Sequence, residues 1–123
     1  MPNLFLPSQL QTNVLVWGLV THVVADWFLQ TDWMARHKSN LRHPAGWVHS
    51  GIHTACLLWL LPWHLALLVG VSHLLIDTRI PLRWWMGVVK GIPPASPVYD
   101  DLVIWMDQML HVIVLVIVVL LFV

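Results

Sequence analysis

Four short motifs place ionisable side chains in pairs four residues apart: His22 and Asp26 in HVVAD, His49 and His53 in HSGIH, His73 and Asp77 in HLLID, Asp107 and His111 in DQMLH. On a helix, residues at i and i+4 share one face about a turn apart, so each pair offers two ligands to a common point. Random placement of these residue types gives about one or two such pairs. Four is an excess. One His–Asp pair alone reads as a salt bridge or an interhelical hydrogen bond; the four together read as a metal site. Imidazole mixed with carboxylate suits zinc, and also iron or manganese, better than calcium or magnesium, which prefer oxygen shells. Eight candidates exceed the four ligands of one zinc, so the set predicts two ions, or one ion with the remaining groups orienting its imidazoles. Two divalent cations and one bound hydroxide would balance three carboxylates. Asp26, Asp77 and Asp107 are the candidates for a bridging ligand or a catalytic base.

The elements that carry these pairs are strongly apolar. The 123 residues are 59% hydrophobic and 10% charged, with a mean hydropathy of +0.76. Six basic residues balance six acidic ones, which excludes a nucleic-acid module, and the apolar content excludes a disordered chain. The single cysteine, Cys56, excludes a disulfide framework or a multi-cysteine metal site. Four apolar segments run from Pro7 to Leu29, Pro44 to Leu61, Trp63 to Ile80 and Leu102 to Val123. At roughly 20 residues per span, four spans use about 80 residues. Val- and Ile-rich segments favour strands in water, but in lipid an isolated strand cannot satisfy its backbone, and four strands cannot close a barrel. The N-terminal MPNLFLPSQL lacks a basic leader, so the first segment reads as a retained span. The expectation is a single all-α domain over residues 1–123, a four-transmembrane-helix bundle.

Basic residues set the topology. Arg36, Lys38 and Arg42 lie in the first connection, and Arg79, Arg83 and Lys90 lie at or within the third. The positive-inside rule then puts segments 31–43 and 81–101 in the cytoplasm and both termini outside. Trp27, Trp33, Trp47, Trp84, Trp85 and Trp105 cluster near the basic side, with Trp59 and Trp63 at the other interface. Alternating spans put their pairs at opposite ends, so at 1.5 Å per residue all four pairs fall at one level, about 6–15 Å below the cytoplasmic interface. Carboxylates at that depth are costly unless paired or metal-bound. Lys38, Arg42, Arg79 and Arg83, with Arg36, ring the mouth and could hold an anionic headgroup; their plainer role is topology and contact with anionic lipid. His37 and His64 read as solvated, His43 as a residue of the mouth, and Cys56 as packing. Gly87, Gly91, Pro93, Pro94 and Pro97 are expected to end the third helix and make residues 86–101 a mobile cover. Asp100 and Asp101 suit the N-terminus of the last helix.

The run HVVADWFLQTDWMARHK, with the later WVHSGIH, HLLID and DQMLH, resembles the DUF3307 family of small bacterial and phage membrane proteins. The likeness covers most of the chain from His22 to His111. That family brings no established activity, but its His and Asp spacing is similar to that of families described as membrane-bound metal-dependent hydrolases. The resemblance implies a multi-pass protein of the bacterial inner membrane, with Gln30, Lys38 and Gln108 as further motif positions. The expected function is hydrolysis of a phosphate-bearing lipid or lipid-linked substrate, with the metal lowering the pKa of its bound water to about 7. A metal-ion carrier or sensor would use the same ligands, as would a metal-stabilised subunit of an oligomer or larger complex. The outer half of the bundle offers no second polar constellation, which counts against full transport. A tetrapyrrole-binding or electron-transfer protein would use the histidines as axial ligands, an option that Gly51 beside His49 and His53 keeps open.

Overall fold

The computed structural model describes residues 6–123, and all regular structure among them is helical. The reading of the N-terminal tail rests partly on residues 1–5, which lie outside the described residues.

Helix α1 (Gln9–Val23) starts at a reciprocal cap, in which Ser8 and Gln11 satisfy each other's backbone N–H. It runs on without a break as a wider π-helical turn over Val24–Phe28. Helix α2 (Asp32–His37) is capped by the Thr31 hydroxyl. Helix α3 (Pro44–Leu57) has proline in its first turn, where no N–H is needed, and the His43 ring accepts from the Ala45 amide. Pro62 precedes α4 (Trp63–Asp77), making the tight hairpin expected there. Helix α6 (Tyr99–Phe122) carries Asp100 and Asp101 in its first turn, where the helix dipole favours acidic groups.

The third connection departs from expectation. After the break the chain resumes as α5 (Ile80–Trp84), and instead of becoming irregular from residue 86 it continues through a second π-helical turn over Trp85–Val89. The bend between α4 and this helical stretch is 53°. Its cause is Arg79, held at φ 61° in the left-handed region, which interrupts the ladder that Pro81, early in the next helix, would have broken anyway. Beyond Val89 the chain is tied down: Ile92 donates its N–H to the Met86 carbonyl and packs against the buried trio Leu82, Met86 and Val103.

Helices α1 and α4 each touch both α3 and α6, so the four long helices close into a ring. A larger apolar cluster, including Val14, Leu57, Leu65, Val69, Leu115 and Val119, fills one end of the ring, and the Leu82–Met86–Val103 trio fills the other. The four motifs lie between them. Two glycines permit the closest approaches. A Cβ at Gly46 would come 2.7 Å from the Lys38 carbonyl, and one at Gly70 would collide with Thr54. Among the described residues α6 is long and apolar enough to cross a membrane alone, and α4 with α5 passes the same test as a bent pair. The outer surface is rich in large apolar side chains, among them Trp17, Val20, Trp47, Leu68, Val71 and Ile117.

Candidate metal centre

All eight paired residues meet inside the ring. His22 and Asp26 come from α1 and its π-helical turn, a local widening often found at functional sites. His49 and His53 come from α3, His73 and Asp77 from the last turns of α4, and Asp107 and His111 from α6. Each side chain is buried, His49 completely. The equal depth expected of the four pairs is what brings them together.

Their polar atoms converge. Asp26 Oδ1 lies 3.0 Å from His49 Nε2, 3.2 Å from His53 Nε2 and 3.7 Å from His73 Nε2. His73 Nε2 also stands 3.1 Å from His49 Nε2 and 3.1 Å from Asp77 Oδ2. A ring nitrogen carries either a proton or a lone pair, never both. If His49 and His73 each donate to their carboxylates, their mutual contact sets donor against donor. Hydrogen bonding alone leaves this geometry unsatisfied. Ligands about 2.0–2.1 Å from a tetrahedral zinc stand about 3.3–3.4 Å from one another, close to the spacing seen here. One atom each from Asp26, His49, His53 and His73 forms a group within 4.8 Å, and one each from His73, Asp77 and His111 forms a second. A buried His/Asp group that could hold a metal ion is therefore present, and His73 belongs to both sets.

The surrounding polar atoms fall into two kinds. The Gln108 amide orients the first group: its N–H donates to Asp26 Oδ2 at 2.8 Å, and its Oε1 faces His22 Nε2 at 3.2 Å. The second group is left open. Asp107 Oδ1 and His111 Nε2 are buried without a hydrogen-bond partner, a costly state in an apolar interior, and the Asp77 oxygens meet Lys38 and His73 as ion pairs at 3.2 and 3.1 Å. His22 and Asp107 stand at the margins of both groups: His22 Nε2 is 3.7 Å from Asp26, and Asp107 Oδ2 is 3.8 Å from His111 Nδ1. Beside the imidazoles of His22, His53, His73 and His111 lies a cavity of about 20 Å³, room for one water.

Lys38 is the residue whose place differs most from its expected role. Expected at the mouth, it is buried, with its ammonium 3.2 Å from Asp77 Oδ1. It shares the inward face of the α2 region with buried Met34, four residues earlier. Arg42 and Arg83 are exposed and Arg79 half-buried, while Arg36 pairs with Asp32 on the surface at 2.8 Å. His43 caps α3 and stacks on His37 with ring centroids 4.3 Å apart, outside both groups. Gln30 is half-buried, with its Oε1 lacking a partner. The motif likeness had put Gln108 and Lys38 near the ligands; their contacts are specified only by the packed helices.

No curated protein and no solved structure matches the chain. A family model described as "Protein of unknown function (DUF3307)" matches residues 14–123, and the chain belongs to that family.

Proposed function

We propose that this chain is a membrane-embedded metalloprotein whose Asp26, His49, His53 and His73 hold one divalent transition ion, zinc first among the candidates, and that the ion serves hydrolysis. The observation that carries the reading is the convergence of three imidazole nitrogens on one carboxylate oxygen without a consistent set of protons. Bound there, zinc would supply a Lewis acid, and an acidified water only where one of the four protein ligands gives way. The chain's own groups supply the rest: Gln108 fixes Asp26, and the buried Asp107 carboxylate, whose Oδ1 makes no hydrogen bond, is suited to accept a proton. The apolar outer surface, the two helical stretches that pass the span test and the one-sided basic residues support a bilayer setting with segments 31–43 and 81–101 in the cytoplasm. A groove of about 440 Å³ between α5 and α6, lined by Trp84, Trp85, Met106 and Met109, favours a substrate with an acyl chain, and Arg79 and Arg83 on the same stretch favour a phosphate headgroup.

A second reading, a structural metal centre, is favoured by the small size of the cavity against the histidines. Elemental analysis of the full chain purified in detergent tests the metal, with about one zinc per chain expected. Phosphate release from phosphatidic acid vesicles tests the chemistry. Metal without turnover leaves the structural centre standing, and no metal removes both readings.

A further inference from the structure

We infer that Lys38 is a built-in substitute for a second divalent cation, and that the chain contains a second metal site which this ammonium keeps closed. The inference rests on the metal reading above and goes further than it. Its ligands are Asp77, His111 and Asp107, grouped around the end of α4 and the middle of α6.

Three observations carry it. The polar atoms a second cation would need are present: Asp107 Oδ1 and His111 Nε2 are buried and make no hydrogen bond, and the buried Asp77 oxygens meet Lys38 and His73 as ion pairs. His111 Nε2 is 3.6 Å from Asp77 Oδ1, and Asp107 stands beside them, its Oδ2 3.8 Å from His111 Nδ1. Among the described residues, the Lys or Arg group that reaches them is the Lys38 ammonium, 3.2 Å from Asp77 Oδ1. The ammonium therefore occupies the carboxylate oxygen that also faces His111.

Charge gives the same answer. The three buried carboxylates need compensation in an apolar interior. With Lys38 inside, one divalent ion completes neutrality; without it, one ion leaves a carboxylate uncompensated, and a second ion with a bound hydroxide closes the balance. A four-ligand zinc and a lysine thus do here what a two-metal centre does with two ions.

The test is zinc stoichiometry in the full-length detergent-purified chain after dialysis against zinc alone. The natural chain is expected to hold about one zinc, Lys38→Met about two, and Lys38→Arg, which keeps the charge, about one. The double variant Lys38→Met/Asp77→Asn removes one charge of each sign and should return to about one. If Lys38→Met cannot be recovered folded, zinc present during extraction should rescue it, because the second ion supplies the missing charge. A natural chain with one zinc and a Lys38→Met chain that also holds one, or that zinc does not rescue, overturns the second site and leaves the first intact. A natural chain with no zinc overturns both.

Discussion

At the scale of single residues, the centre divides into groups that touch a candidate ion and groups that aim them. His53 faces Asp26 Oδ1 and stacks on His73 with centroids 3.6 Å apart. Replacing it by Ala removes a ligand and strands buried charge, so metal content should fall and stability with it, by several kcal/mol. His64, exposed at the hairpin, is the control: His64→Ala should alter neither quantity in paired elemental analysis and thermal melts. Gln108 acts differently. Gln108→Leu leaves every ligand in place but frees the Asp26 carboxylate, and zinc affinity measured by competition with a chelator should weaken about 10–100-fold. An unchanged affinity would reduce the glutamine to packing. The gathering of the eight paired residues could be read from the sequence because i, i+4 spacing is a property of helices alone. Lys38 could not be read so, since its inward turn depends on α2 lying against α3 at Gly46, a contact between separate elements.

Among the elements, the joints matter more than the helices. Helix limits were visible wherever the chain supplies a chemical stop, as at Pro44 and Pro62. At Thr78–Arg79 the sequence placed the end a few residues late, at Ile80, because the break comes from one residue's left-handed backbone just ahead of Pro81. For the same reason the helical stretch up to Val89 was missed: its glycine at position 87 is accommodated inside a wide turn. Arg79→Gly should relieve a left-handed penalty of roughly 1–2 kcal/mol and raise the melting temperature, provided the Arg79 side chain carries no stabilising contact; an unchanged or lower value would assign such a contact. Gly46→Ala should do the reverse. Its methyl meets the Lys38 carbonyl, so α2 must shift, at a cost of about 1–3 kcal/mol. If Lys38 withholds the second site, that shift should also raise zinc stoichiometry, which ties the helix joint to the chemistry.

Considered whole, the described residues form a ring of helices with a largely apolar outer surface and with the buried charge held between two apolar layers. The topology proposed for it has a direct check. Cysteines introduced at Ser39 and Ser96 should react with an impermeant thiol reagent only after the membrane is opened, against a Cys56→Ser background; labelling of intact cells would reverse the orientation. The sequence showed the ring's four members and the level of their polar groups, while the order of neighbours around it needed the packed structure. The two apolar layers also set a clock. An ion between them has little more than one water's room beside it, so it leaves when the helices part and not by stepwise ligand exchange with solvent. If an ion is bound there, its residence time would track the lifetime of the closed ring, and uptake on dialysis would likewise wait on the ring's opening. Excess chelator should strip the metal at a rate that does not rise with chelator concentration, and mutations that loosen the Val14–Leu115 layer should speed the loss without touching a ligand.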